Sequence, residues 1–163
     1  MKGISTFLWF DTEAEEAAEF YVSLFPNSKV GKVSRYGEAG PREAGTVMTV
    51  EFELDGRPFV GLNGGPNFKF NEAVSFQIAC ESQEEVDEFW SKLSEGGEQG
   101  PCGWLKDRFG LSWQVVPTRL TELLQEPDEE KAQRVMAAML QMGKIEIEPL
   151  ERAAAEEQSV ASG

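Results

Sequence analysis

Apolar and polar positions along this chain change period in an order that occurs twice. Residues 4–10 form a short apolar run with Thr6 inside it and read as a strand. Residues 13–24 follow, with Ala17, Phe20, Tyr21 and Leu24 on one helical face, Asp11-Thr12 as a candidate cap and Pro26-Asn27-Ser28 as a stop. Residues 29–36 alternate loosely, and 37–45 read as a Gly-rich loop. Residues 46–54 and 57–63 then read as two strands joined by Asp55-Gly56, a hairpin signal; Pro58 implies an edge or irregular pairing.

The same order returns after Gly64-Gly65-Pro66. Residues 73–81 predict a strand and 83–93 a helix that turns Val86, Phe89, Trp90 and Leu93 inward, stopped by Gly96-Gly97. A short run at 99–102 precedes a hairpin of 103–105 and 111–116. Its link, Lys106-Asp107-Arg108-Phe109-Gly110, has an Asp that can bond its own turn and a Gly that can take positive φ. The two helices align with a constant offset, Leu24 to Leu93, of 69 residues. Glu15, Glu16, Glu19, Phe20 and Tyr21 fall on Glu84, Glu85, Glu88, Phe89 and Trp90. The reading is two βαβββ modules, residues 1–65 and 66–117, an α+β domain spanning 1–117.

Beyond Pro117 the period becomes helical throughout. Thr118 can cap 119–125, Asp128 opens 129–141 with an apolar stripe through Val135 and Met139, and Ile147 and Leu150 suggest a third short helix. Residues 118–157 are expected to pack on the domain or a dimer partner, with fraying from Ala153 and a disordered tail at 158–163.

Composition narrows the function classes. The chain has 163 residues, a formal charge of −14 and no histidine. Such a surface repels phosphate backbones and anionic lipid, so neither nucleic acid nor membrane is expected as a partner. The missing imidazole removes the residue most used for proton transfer near neutral pH and the commonest transition-metal ligand. No run reaches the ~20 apolar residues of a membrane span, and the N-terminus has no leader pattern, which predicts a cytoplasmic protein. Cys80 and Cys102 form no metal or redox motif; Cys80 shares a strand face with Phe76 and Ile78 and reads as a core thiol. Gln114 stands mid-strand between apolar neighbours, and is a candidate cavity wall or a solvent-facing amide on a one-sided sheet.

Several spaced motifs carry a family resemblance. Phe7-Leu8-Trp9-Phe10-Asp11, Phe25-Pro26-Asn27-Ser28, Leu62-Asn63-Gly64-Gly65-Pro66, Cys102-Gly103-Trp104-Leu105 and Trp113-Gln114-Val115-Val116-Pro117 resemble the PhnB-like, 3-demethylubiquinone-9 3-methyltransferase-domain branch of the vicinal oxygen chelate superfamily. That resemblance implies the glyoxalase/bleomycin-resistance fold: a curved mixed sheet with helices outside, a cup inside and a C-terminal helical extension. The superfamily's metalloenzymes draw their ligands from the first and last strands of each module. Carried over by the 69-residue register, those places are Thr6, Gly61 or Asn63, Ser75 and Gln114.

Neutral hydroxyls and amides lack the donor strength of imidazole and the charge of carboxylate, so no bound metal and no other cofactor is expected. This argues against metal-dependent glyoxalase or dioxygenase activity. The polar set Thr6, Asn63, Ser75, Gln77 and Gln114, walled by Phe10, Phe59 and Trp104, instead implies a cup for a small neutral or weakly polar ligand. The leading expectation is a metal-free small-molecule-binding homodimer. The alternatives are an isomerase, lyase or transferase of the same superfamily, and a non-catalytic dimeric interaction protein whose cup is filled.

Overall fold

The computed structural model describes residues 1–156, and the tail expected to be disordered at 158–163 lies outside them. The chain divides into two compact units, Met1–Phe70 and Asn71 onward, a boundary beyond the Gly65/Pro66 junction read from sequence. In the first unit β1 (Thr6–Phe10), α1 (Ala14–Leu24), β2 (Lys29–Arg35), β3 (Val47–Leu54) and β4 (Arg57–Asn63) build a sheet of order β1-β4-β3-β2. The second repeats it with β5 (Ser75–Cys80), α2 (Gln83–Ser94), β6 (Glu98–Gln99), β7 (Trp104–Lys106) and β8 (Ser112–Pro117), in order β5-β8-β7-β6. In each sheet the first and last strands of the module are parallel and the others antiparallel. This is the α+β, twice-βαβββ architecture expected.

Local chemistry sets the turns. Asp55 and Gly56 both take positive φ, 47° and 75°, the pair of left-handed residues a two-residue hairpin demands. β4 is an interior strand, not an edge; Pro58, near its start, faces Glu53 of β3. α1 is not capped by Asp11 or Thr12. Its first amide, Ala14 N, donates instead to Asn63 Oδ1 at 2.9 Å, so β4 supplies the cap. α2 is capped as helix starts usually are, Glu85 N donating to Ser82 Oγ at 3.2 Å.

The helix-facing side of each sheet is the core. In the first unit Leu8, Phe10, Val50, Phe52, Leu54 and Phe59 are buried, and Gly61 lets β4 approach α1 so closely that an added Cβ would meet Ala14 Cβ at 3.1 Å. In the second, Cys80, Leu105, Trp113 and Val115 are buried with Val86, Trp90 and Leu93 of α2.

Three helices follow: α3 (Thr118–Gln125), α4 (Glu129–Met139) and α5 (Ile147–Ala155). They enclose a separate cluster of Val116, Leu120, Leu123, Val135, Ile145 and Leu150. α5 stays helical through Ala155, past the Ala153 where fraying was expected. The extension is stapled to the second sheet through backbone bonds from Cys102 N to Met142 O and Gly103 N to Gly143 O, both 2.8 Å. β6 is confined to Glu98–Gln99, and residues 101–103 of the short run that follows form a bend and turn. Among the described residues no helix is long and apolar enough to cross a membrane.

Candidate functional site

Side chains alternate across a strand, so the register decides which residues share a face. On β5, Phe76, Ile78 and Cys80 pair with Trp113, Val115 and Pro117 on the helix side. The opposite face, away from α2, therefore carries Ser75 and Gln77 beside Ser112 and Gln114 and ends at Val116, which packs into the α3–α5 cluster; Trp104 and Lys106 stand opposite Gln114 and Ser112 across the β7–β8 pairing. Gln114 Nε2 donates to Ser75 Oγ at 2.9 Å, a link between the module's two parallel strands. Gln114, Ser75 and Trp104 are half-buried and Gln77 is exposed. The structure thus gathers Ser75, Gln77, Trp104 and Gln114 on one polar face with an aromatic wall.

The other four expected residues go elsewhere. Thr6, Phe10, Phe59 and Asn63 lie on the α1 side of the first sheet, and Phe10, Phe59 and Asn63 are 4–6 % exposed. Expecting them on the helix-free face is corrected by one residue of register. The 69-residue offset holds for the helices: Ala17 and Tyr21 are buried as Val86 and Trp90 are. It fails for the strands, where Leu8 and Phe10 take the inward places of Ile78 and Cys80. The link from β1 to α1 is one residue longer than that from β5 to α2, so Phe7, not Leu8, answers to Gln77. By the same pairing Val60, not Asn63, answers to Gln114. Asn63 is fully used locally: besides capping α1, its Nδ2 donates to Val47 O at 3.2 Å and its carbonyl accepts from Tyr36 Oη at 2.6 Å.

The helix-free face of the first sheet carries Phe7, Trp9, Val60 and Leu62. Phe7 is 63 % exposed, and Trp9 donates Nε1 to Gly65 O at 2.8 Å and packs edge-on against Phe68. Asn67-Phe68-Lys69-Phe70 is tied to β1 through Phe68 on Trp9 and Phe70 on Phe10, ring centroids 4.8 and 5.3 Å apart. A cleft of about 830 Å³ opens at the end of this sheet between Thr12, Glu15, Arg42, Glu43 and the Gly64–Asn67 turn. Arg42 there donates to Asp11 O at 3.0 Å.

A second cleft, of about 300 Å³, lies on the second unit between Glu72, Glu98, Pro101, Trp104, Lys106 and Ser112. Sequence reasoning missed its charged rim. Lys106 Nζ sits 2.5 Å from Glu72 Oε1 and 4.0 Å from Glu98 Oε2. The hydrogen bond between them, more than charge alone, raises the Lys106 ammonium above its ordinary value and lowers the Glu72 carboxyl. The strand alternation that flagged Gln114 also marks Ser112 and Lys106, and was the available signal.

The places from which superfamily metalloenzymes take ligands hold Ser75 and Gln114 in the second sheet and, by the corrected register, Ser5 and Val60 in the first. Neither pair, a hydroxyl with an amide in the second sheet or a hydroxyl with an alkyl group in the first, offers the donors that a divalent metal needs. Among the described residues no three His, Cys, Asp or Glu side chains converge.

The family described as 3-demethylubiquinone-9 3-methyltransferase matches residues 2–116, so α3–α5 lie beyond the matched region. Among solved structures, a PhnB protein from Bacillus cereus is 38 % identical over 71 % of this chain and 99 % of its own, with a TM-score of 0.63. A protein from Pseudomonas aeruginosa (19 % identity, 72 % and 98 % covered, TM-score 0.58) and a gene product from Arabidopsis thaliana (19 %, 71 % and 98 %, TM-score 0.50) share the fold. No curated protein matches the sequence. Repeated topology, matched motifs and overall similarity lead to one conclusion: the chain belongs to the 3-demethylubiquinone-9 3-methyltransferase family, the PhnB-like branch of the vicinal oxygen chelate superfamily.

Proposed function

We propose that the protein is a metal-free binder of a small, neutral organic molecule, which it holds on the face of the second sheet away from α2. The supporting observation is the Gln114–Ser75 hydrogen bond beside Trp104. A polar pair in the middle of a sheet adds nothing to a core, whereas beside an indole it offers a ligand a flat apolar wall and fixed hydrogen-bonding groups. With Nε2 held by Ser75, Gln114 keeps Oε1 as an oriented acceptor.

The family description names methyl transfer, and the residues here give that reaction no support. A nucleotide-type methyl donor usually sits on a Gly-rich turn from strand to helix. The two such turns read Asp11-Thr12-Glu13 and Glu81-Ser82, while Gly64-Gly65 follows β4 and Gly96-Gly97 follows α2. Thermal-shift screening against metabolites and antibiotics tests the proposal. Stabilisation by a neutral compound that persists in chelator and disappears in Gln114→Ala is the expected result. A hit that requires added metal, or one indifferent to Gln114, would overturn it.

A further inference from the structure

Ser112 is 0 % exposed, and its Oγ has no hydrogen-bond partner among the described residues. An unpartnered buried hydroxyl is costly, and such groups in folded proteins call for an explanation. Ser112 lies at the base of the 300 Å³ cleft that Trp104 walls. The residue directly opposite it is Lys106, and opposed side chains on an antiparallel pair stand next to each other. Glu72, on the chain entering β5, draws the Lys106 ammonium to 2.5 Å. The hydroxyl is therefore flanked by a lysine stem whose tip is tethered by an exposed ion pair.

Resting on the reading that this face binds a ligand, we propose that Ser112 is a specificity hydroxyl beneath a Lys106–Glu72 latch. When the latch swings aside, the hydroxyl meets the polar end of an uncharged ring compound lying on Trp104. The class follows from the cleft's chemistry. A hydroxyl both donates and accepts, so it matches an amide or hydroxyl and cannot neutralise a charge. Two carboxylates, Glu72 and Glu98, face one ammonium at the rim, which disfavours an anion. The latch is exposed, so releasing it costs little.

The test compares benzamide with its isosteric anion, benzoate, by backbone NMR titration of the wild type, Ser112→Ala and Glu72→Gln. Benzamide should shift the amides of Trp104, Ser112 and Gln114 in the wild type, with benzoate weaker by about tenfold or more. Ser112→Ala should fold with undiminished stability, because it removes an unpartnered hydroxyl, yet bind benzamide about fivefold to tenfold more weakly. Glu72→Gln should bind it more tightly than the wild type. Benzamide binding at Trp104 and Gln114 that is equal in wild type and Ser112→Ala overturns the hydroxyl's role and leaves the binding face standing. A destabilised Ser112→Ala overturns it too, by showing that the hydroxyl has a structural partner. No shift on this face with either probe, in any variant, counts against both the inference and the binding face.

Discussion

Asp107 holds the indole of Trp113, accepting from Nε1 through Oδ2 at 2.9 Å, while its Oδ1 accepts from Phe109 N and Leu111 N at 2.9 and 3.1 Å. One carboxylate, 2 % exposed, thus closes the β7–β8 turn and anchors the largest side chain of β8. Asp107→Ala strands three donors, two of them in buried bonds, and should lower unfolding free energy by about 3–4 kcal/mol. Asp107→Asn keeps one acceptor and should lose less. Urea denaturation of the two variants checks the order; an alanine within about 1 kcal/mol of wild type would rule the anchoring out.

Gly97 and Gly110 flank the same hairpin and differ in what surrounds them. A Cβ on Gly97 would lie 2.1 Å from Lys106 O and 2.7 Å from Asp107 C, both backbone atoms that cannot rotate away. Gly110 has open space and is held only by its φ of +87°. Gly97→Ala should therefore cost about 3 kcal/mol or more, and Gly110→Ala about 1 kcal/mol. Thermal melts of the two substitutions settle the ranking; equal losses would mean that β6 does not approach the turn so closely.

The hairpin at Asp55-Gly56, the turn at Asp107 and the repeat itself were legible because each depends on residues near in sequence. The side of the first sheet on which Thr6 and Asn63 fall was not legible. A helix tolerates a one-residue slip in the link before it, but a strand inverts its faces, so the repeat aligned on its helices put Thr6 on the opposite face. Asn63 entered the candidate site through the same register, and nothing local shows that it caps α1 from 49 residues away. On the second sheet alternation alone put Gln114 on the face opposite Trp113 and Val115, as the pairing has it.

Gln83 joins the C-terminal extension to α2 through its side-chain amide. Nε2 donates to Ile145 O at 3.1 Å and Oε1 accepts from Ile147 N at 2.8 Å, with Lys144 2.6 Å from Asp87 beside it. The carboxamide bridges both backbone groups just ahead of and within the first turn of α5, where helices otherwise leave amides unpaired. Gln83→Ala should cost about 1–2 kcal/mol and, more specifically, speed hydrogen exchange at Ile147 while leaving the amides of β1 unchanged. Uniform acceleration across the chain would show a global rather than local effect.

Arg119 of α3 grips Glu151 of α5 with a forked pair, Nε to Oε1 and Nη2 to Oε2, the latter at 3.2 Å. The guanidinium hydrogen bond is the main reason the Glu151 carboxyl sits below its ordinary value. A depressed folded-state value means that the pair stabilises above the carboxylate's unfolded value. That contribution fades as pH falls from the ordinary carboxylate range through the lowered one. Both side chains are more than a third exposed, so the effect is small, under about 1 kcal/mol. Acid titration followed by Tm should show a shallower loss in Glu151→Gln than in wild type. Parallel curves would count against a contribution from the pair.

Cys80 is fully buried, and its thiol is pushed up to about 12, chiefly by burial and secondarily by the Glu85 charge. A raised value keeps the sulfur protonated, and burial keeps reagents away, so the thiolate needed for exchange is scarce on two counts. Cys102 is half-buried, its Sγ 3.7 Å from Met139 O, and has to be removed to read Cys80 alone. In Cys102→Ser at pH 8, an aromatic disulfide reagent should label Cys80 only as fast as the second sheet opens, a rate that rises with urea along with unfolding. Rapid labelling without denaturant would mean that β5 is not sealed against α2, and the burial argued for that core would fall with it.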